Sequence, residues 1–214
     1  MKLKTFAVNP FQMNSYLYFC DKTLEAVLID PGYYTKYEQD DLLNYVNEEK
    51  LKIKHILLTH GHIDHVLGNA FASEVFGVDT FIHRDDLFLY ENAKTQGDLY
   101  GLQFDALPLI NNFLDESTEI RIGNNLLNIV HTPGHSPGGV CIVDHFERKV
   151  FCGDLIFQSS IGRTDLPGGN YDTLLGSIKE KLFTICSDEY DLYPGHMGKT
   201  TIGDEKRYNP FLQD

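Results

Sequence analysis

One run of seven residues constrains this chain more than any other: Thr59-His60-Gly61-His62-Ile63-Asp64-His65. It directly follows the apolar run from Ile53 to Leu58, which predicts a buried strand and therefore a rigid platform for the run. Side chains two residues apart lie on one side of an extended segment but about 200° apart around a helix. His60 and His62 are therefore expected on an extended loop, with Asp64 and His65 where the chain turns into a helix.

So many titratable groups within a few residues repel one another and lose solvation unless a cation compensates them, so the run predicts a metal site. Further polar side chains follow three other predicted strands, and strand ends on one rim converge in space. The candidate ligands are five histidines and two aspartates: His60, His62, Asp64, His65, His135, Asp154 and His196. This arrangement suits two adjacent metals, and nitrogen and oxygen ligands without cysteine suit zinc, iron or manganese.

Strand-like runs and helical periodicities alternate along the chain. Strands are predicted over 3–8, 15–19, 26–29, 53–58, 80–82, 119–122, 126–130, 140–143, 150–152 and 191–193, and helices over 35–49, 66–76, 85–91 and 172–182. Asp172 is the expected N-cap of the last helix. Two rounds of strands followed by helices favour an α/β fold, an αββα four-layer sandwich in one domain over 1–214, although periodicity alone also fits other mixed architectures.

Composition excludes several classes of function. Lys and Arg number 18 against 31 Asp and Glu, and a net charge of −13 disfavours binding to nucleic acid or anionic lipid. No apolar run reaches the roughly 18 residues of a membrane-spanning helix, and the N-terminus lacks the pattern of a signal peptide, so a cytoplasmic protein is expected. The four cysteines form no C-x-x-C pair and are expected to be buried apolar residues. The oligomeric state is left open.

The order His60-x-His62-x-Asp64-His65, then His135, Asp154 and His196 resembles the metallo-β-lactamase fold superfamily, and within it the glyoxalase II-like hydrolases. The similarity runs over nearly the whole chain. Its motifs are Leu28 to Gly32, Thr59 to His65, Thr132 to Gly139, Gly153 to Phe157, Gly162 to Asp165 and Asn209 to Gln213. The ending Tyr208 to Asp214 is similar to the single-domain bacterial YcbL-type glyoxalase II proteins.

This resemblance implies an αββα hydrolase with two divalent metal ions, zinc first and iron or manganese as alternatives. His60, His62 and His135 would hold the first ion, Asp64, His65 and His196 the second, and Asp154 would bridge them. The implied reaction is hydrolysis of a small thioester, S-lactoylglutathione or a related 2-hydroxyacyl thioester, by a hydroxide that the metals activate. Asp64, which could also hold the water, and Asp154 are the expected catalytic carboxylates.

Three other residues have two interpretations each. Asp30, after a buried strand, is either a turn residue or a carboxylate that orients a ligand histidine. Arg163 either holds an anionic substrate group or pairs with Asp165, and the pair is favoured. Lys199 is a possible substrate contact or a solvated lysine. The remaining histidines, His131 beside the site and His55, His83 and His145 elsewhere, are expected to be structural or surface residues.

Other functions remain open at this point. A persulfide dioxygenase would use one iron, held by His60, His62 or His135, and Asp154. A lactonase or β-lactamase would use the same water chemistry on another substrate, and a metal-binding module would have no activity. The chain ends 18 residues after His196, so the basic helical extension with which full-length glyoxalase II grips glutathione is not expected. Small-molecule thioesters are the expected partners, bound in an open groove with little dependence on the thiol carrier.

Overall fold

The computed structural model describes residues 1–213, and the first half of the chain forms a six-stranded sheet. Its strands, in spatial and chain order, are β1 (Lys2–Val8), β2 (Met13–Phe19), β3 (Glu25–Ile29), β4 (Lys52–Leu57), β5 (Thr80–His83) and β6 (Asn112–Leu114). β1 to β3 pair antiparallel, with Lys2 opposite Phe19 in the first pair. β3 to β6 run parallel because helices carry the chain back between them.

The second half forms another six-stranded sheet. Its strands are β7 (Glu119–Ile122), β8 (Asn125–His131), β9 (Val140–Asp144), β10 (Lys149–Gly153), β13 (Asp191–Pro194) and β14 (Thr200–Thr201), in the spatial order β14-β13-β10-β9-β8-β7. A small hairpin of β11 (Ile156–Phe157) and β12 (Ser160–Ile161) lies between β10 and β13 in the chain. β10 and β13 are parallel and the other neighbours antiparallel, so β8, β10 and β13 all run in one direction.

Helices connect the strands. They are α1 (Lys36–Glu48), α2 (Ile63–Val66), α3 (Asn69–Phe76), α4 (Leu87–Glu91), α5 (Ala93–Leu99), α6 (Tyr171–Gly176), α7 (Phe183–Ile185) and α8 (Ile202–Tyr208). A 3₁₀ turn (Arg84–Asp86) precedes α4, and a π-helical segment (Ser177–Leu182) joins α6 to α7. None of the helices in residues 1–213 is long and apolar enough to cross a bilayer.

The apolar core divides into three layers of contacts. In β3, Val27 and Ile29 belong to the cluster between the two sheets, whereas Ala26 and Leu28 belong to the cluster under α1 and α3. This alternation is the period of two that a strand imposes on its side chains. A third cluster packs α6, the π-helical segment and α8 on the outer face of the second sheet. The order of layers is helix, sheet, sheet, helix, so the predicted αββα sandwich is confirmed.

Two predicted helices differ from the observed ones. The helix expected over 66–76 is divided into α2 and α3 at Gly68, whose backbone N–H donates to the carbonyl of Pro31. A Cβ on Gly68 would lie 2.7 Å from that carbonyl oxygen, so the close approach requires glycine. The predicted N-cap Asp172 is wrong. Asn170, two residues earlier, has the extended backbone of a cap, and its side chain accepts from the N–H of Thr173.

A buried hydrogen bond joins the two sheets. The hydroxyl of Tyr18 in β2 donates to Asp144 at the end of β9 over 2.8 Å, and Asn125 donates to the same carboxylate. Tyr18 and Asp144 are both fully buried.

Tyr18→Phe should lower the free energy of unfolding by about 1–3 kcal/mol, because the Asp144 carboxylate then loses a donor that water does not replace. Urea titration measures this loss. Tyr37→Phe, at a tyrosine that is 81% exposed, is the matched control and should leave the free energy of unfolding unchanged. An unchanged midpoint in Tyr18→Phe would contradict the importance of this bond.

Candidate metal centre

The seven side chains predicted as metal ligands lie together at the ends of strands from both sheets. The segment after β4 carries four of them, two in the loop and two in α2, and the loops after β8, β10 and β13 carry one each. Strands that run in the same direction end at the same edge of a sheet, which explains why distant parts of the chain meet here. Their ligand atoms form three groups, within each of which all atoms lie no more than 4.8 Å apart: His60, His62 and His135; His60, His65 and Asp154; Asp64, His65 and His196.

The first group consists of three buried histidines. Nδ1 of His62 lies 2.8 Å from Nε2 of His135, and the ring centre of His60 lies 4.8 Å from each of the other two. Ligand atoms around a tetrahedral ion, with bonds of about 2.1 Å, are separated by about 3.4 Å. The three rings are thus close enough to bind one ion. His62 has the extended backbone predicted for it, directly before α2.

Asp154 lies between this group and the second one. Its Oδ1 is 3.4 Å from Nε2 of His65, while its Oδ2 is 3.7 Å from Nε2 of His135 and 3.6 Å from Nε2 of His196. In the second group, Oδ2 of Asp64 is 3.0 Å from Nε2 of His196 and 3.8 Å from Nε2 of His65. The two oxygens of Asp154 therefore contact ligands of both groups, as a bridging carboxylate would.

Several buried polar atoms of the site have no hydrogen-bond partner among the described residues. They are Nε2 of His60, His62 and His65, and Oδ1 of Asp154. An unpaired polar atom in a buried position costs about 1–3 kcal/mol, so four of them in one place require an explanation. A cation bound by Nε2 of His60, Nε2 of His65 and Oδ1 of Asp154 removes the penalty at these three atoms, whereas His62 faces His135 through its Nδ1. The donor set, imidazole nitrogen and carboxylate oxygen, fits zinc, iron or manganese.

The protonation states also fit metal binding. Burial and the neighbouring histidines hold the pKa of His60 well below its ordinary value, and burial lowers the pKa of His62 to about 3. Both rings are therefore in the neutral form that binds a metal. Burial alone would raise the pKa of Asp154, but the histidines, His65 above all, lower it. Burial would likewise lower the pKa of His65, yet nearby carboxylates, Asp64 above all, raise it well above its ordinary value. The part of the site around Asp64, His65 and Asp154 therefore favours positive charge.

The carboxylate of Asp30 contacts one of the histidines. Its backbone follows β3 with a φ of 50°, and its carboxylate accepts from the N–H and the hydroxyl of Thr59, both over 2.7 Å. Oδ2 of Asp30 also lies 3.0 Å from Nδ1 of His65. A proton held on Nδ1 leaves Nε2 as the ligand atom, which faces Asp64 and Asp154. The structure thus places Asp30 behind a candidate ligand.

Arg163, Asp165 and Lys199 lie outside the ligand groups. Arg163 donates from two guanidinium nitrogens to the two oxygens of Asp165, each over 2.7 Å, and its backbone carbonyl lies 2.8 Å from Nδ1 of His135. Lys199 pairs with Asp191 over 2.8 Å. Both cations considered as substrate contacts therefore have carboxylate partners within the chain.

Asp86 is an important residue that the sequence reasoning missed. It is fully buried, and its carboxylate accepts from the N–H of Gly61, the hydroxyl of Ser136 and the N–H of Gly138. These donors belong to the two loops that carry the first group of histidines, so Asp86 ties those loops together. The available signal was its place after β5, which ends at the same edge as β4.

The loop of His196 is held by β2. Asn14 donates to the carbonyls of Pro194 and Met197, and the hydroxyl of Tyr16 donates to Pro194 over 2.6 Å. No local pattern in the sequence points to these contacts, because they join residues nearly 180 positions apart.

The other histidines have separate positions. His131 stacks on His83 with ring centres 4.1 Å apart, and its Nε2 lies 2.9 Å from the carbonyl of Pro137. His55 packs on Phe81, and His145 contacts Tyr190. These four rings stand apart from the three ligand groups.

Comparisons with known proteins agree with this arrangement. The family model described as "Metallo-beta-lactamase superfamily" matches residues 8–196. The chain therefore belongs to this superfamily of metallo-hydrolases. A relative named hydroxyacylglutathione hydrolase GloC, from Haemophilus influenzae, is 38% identical over 99% of this chain and 98% of its own. The protein in the crystal structure of BLEG-1 B3 metallo-beta-lactamase is 32% identical in sequence to this chain. The two structures superpose with a TM-score of 0.90 over 100% of each chain. The protein in the crystal structure of TTHA1623 in a di-iron-bound form is 37% identical in sequence, with a TM-score of 0.86 over 98% of this chain and 100% of that chain.

Asp154→Ala should lower the metal content of the purified protein from about two ions per chain to one or fewer, because it removes the carboxylate between the two groups. Elemental analysis measures the stoichiometry. Asp165→Ala removes an equal charge from an exposed position and serves as the matched control. Equal metal content in the two variants would rule out the bridging role.

Asp86→Asn should lower the free energy of unfolding by about 1–3 kcal/mol and weaken metal binding about 10- to 100-fold, because an amide presents an N–H₂ group to one of the three donors. Urea titration of the chelator-treated protein and competition with a chelator measure the two effects. The control is Asp85→Asn at the exposed neighbouring carboxylate. Asp86→Asn that behaves like this control would show that the contacts between the loops are dispensable.

Proposed function

We propose that this protein hydrolyses small thioesters, S-lactoylglutathione or a related 2-hydroxyacyl thioester. The observation that carries the proposal is the position of Asp154 between two groups of nitrogen and oxygen ligands, because this geometry suits two ions that act on one carbonyl group. Similarity to a hydroxyacylglutathione hydrolase over almost the whole chain supports the choice of thioester.

Seven residues would hold the two ions. His60, His62 and His135 would bind the first, Asp64, His65 and His196 the second, and Asp154 both. Zinc is the first choice, with iron or manganese as alternatives, and similarity to a protein crystallised in a di-iron-bound form supports iron as an alternative. When bound, such ions lower the pKa of water towards about 7 and polarise a carbonyl oxygen.

The chain's own side chains supply position and charge. Asp64 and Asp154 border the cleft beside the ligand groups, where their carboxylate oxygens accept hydrogen bonds from a water molecule and orient it towards an acyl carbon. Asp30 and Asp86 fix the rings and loops on which this geometry depends. A thiolate leaves without a proton from the protein, so the reaction needs no general acid.

A second candidate is hydrolysis of a lactam or lactone. The observation in its favour is the full-length similarity to a protein named as a B3 metallo-beta-lactamase. The same oriented water would attack a cyclic amide or ester, but an amide nitrogen requires protonation when it leaves. Asp64 and Asp154 are ionised ligands in this geometry, which favours the thioester.

The metal-loaded protein should hydrolyse lactoylglutathione, and a chelator should abolish the reaction, because the ligand groups alone provide no electrophile. Thiol release measures the activity. Parallel assays measure oxygen consumption with a glutathione persulfide and ring opening of a β-lactam. Asp154→Ala should lose at least about 100-fold in kcat/KM, and Asp21→Ala, at an exposed aspartate outside the cleft, less than about threefold. Oxygen consumption without thioester cleavage would identify a dioxygenase instead, and ring opening alone would identify a lactamase.

A further inference from the structure

A cleft opens beside the candidate metal ligands. Its volume is about 590 Å³, within the range of sites that enclose a small organic ligand. One end is formed by His62, Asp64, His135, Asp154 and His196, which are candidate metal ligands. The wall that leads away from them is mainly apolar and includes Phe11, Leu89, Leu99, Tyr100, Leu166 and Pro167. Phe11 and Tyr100 pack edge to face with ring centres 5.2 Å apart, so the wall is continuous between β1–β2 and α5.

The guanidinium and the side-chain amide of this wall already have partners within the chain. Arg163 is its one cationic side chain among the described residues, and two of its guanidinium nitrogens donate to Asp165, which cancels its charge. Gln96 accepts from the N–H of Ile63 and donates to the carbonyl of Leu89, so both ends of its amide are engaged. A carboxylate or ammonium group on a substrate would lose water against this wall, and a carboxylate would have to compete with Asp165 for Arg163.

Apolar substrate atoms, in contrast, gain free energy when they leave water and contact this wall. Each buried methylene contributes about 0.8 kcal/mol, and Leu99 and Tyr100, 82% and 54% exposed, become covered when a ligand enters. We propose that the cleft prefers thioesters whose acyl or thiol arm is an apolar, uncharged aliphatic or aromatic chain, and that lactoylglutathione, with its charged peptide arm, is hydrolysed more slowly than such esters. This inference rests on the thioester hydrolysis proposed above and specifies its substrate class.

The first experiment varies one arm of the thioester at a time. With N-acetylcysteamine as an uncharged thiol, acetyl, butanoyl and hexanoyl esters should show kcat/KM rising about two- to fourfold per methylene. The adipoyl ester has a carboxylate in place of the terminal methyl group of the hexanoyl ester. Its kcat/KM should be at least about 30-fold lower than that of the hexanoyl ester. A parallel series lengthens the thiol arm on an acetyl group. A rise with apolar length in either arm supports the proposal, whereas equal rates in both series, or a preference for the charged esters, overturn it.

Variants locate the effect in the cleft. Leu99→Glu should reduce the ratio of hexanoyl to acetyl activity at least about threefold. Leu109→Glu, at a leucine that is 86% exposed and outside the cleft, is the matched control and should leave the ratio unchanged. Asp165→Asn removes the charged partner of the Arg163 guanidinium. The ratio of kcat/KM for the adipoyl ester to that for the hexanoyl ester should therefore rise at least about threefold. If neither Leu99→Glu nor Asp165→Asn changes its activity ratio, the proposed role of the cleft in substrate choice is wrong.

Binding distinguishes failure of this inference from failure of the proposed function. A hexyl thioether of N-acetylcysteamine does not react, and calorimetry should detect its binding to the chelator-treated protein at least tenfold more tightly than that of the thioether ending in a carboxylate. If no thioester is hydrolysed but this preference is found, the proposed function fails and the apolar cleft stands. If thioesters are hydrolysed without the preference, only the inference made here fails.

Discussion

Charge balance among imidazoles and carboxylates at the common edge of the two sheets is the condition on which this structure depends. Five histidines and three aspartates lie there with little access to water, and any one of them left unpaired would be costly. Hydrogen bonds from Thr59 satisfy Asp30, while Asp154 and His65 remain directed at each other. A cation held by these groups would complete this balance, so that folding and metal binding would act on the same side chains.

The crowding at this edge also determines the backbone. A Cβ on Gly195 would lie 2.3 Å from Oδ1 of Asp154 and 2.6 Å from Cε1 of His65, so any larger residue would displace both side chains. Gly153, which ends β10 with a φ of 48°, would place a Cβ 2.5 Å from the hydroxyl of Thr59. Glycine is required at both strand ends because the side chains of the site occupy the space beside them.

The sequence predicted the layers and the seven side chains that lie together at the candidate site, because both depend on local patterns. Alternating apolar residues predict strands, and the spacing from His60 to His65 predicts a loop with metal ligands. The same patterns say nothing of Asp86, whose partners Gly61 and Ser136 lie 25 and 50 residues away. The cleft wall was missed for a related reason. It combines residues near 11, 99 and 166 through packing alone, and α5 and the segment after it have no strong apolar period.

The contacts of Asn14 and Tyr16 with the loop of His196 have a consequence for the order of folding. During synthesis the first hairpin emerges early, but the carbonyl of Pro194 that these side chains hold is made almost 180 residues later. Such distant contacts close slowly, because the intervening chain loses much conformational freedom at once. A ribosome-bound chain can therefore gather the histidines of the first group while the second group is still incomplete. For the two-ion site proposed above, capture of the second ion is then a late event that stabilises only chains whose two sheets have already met.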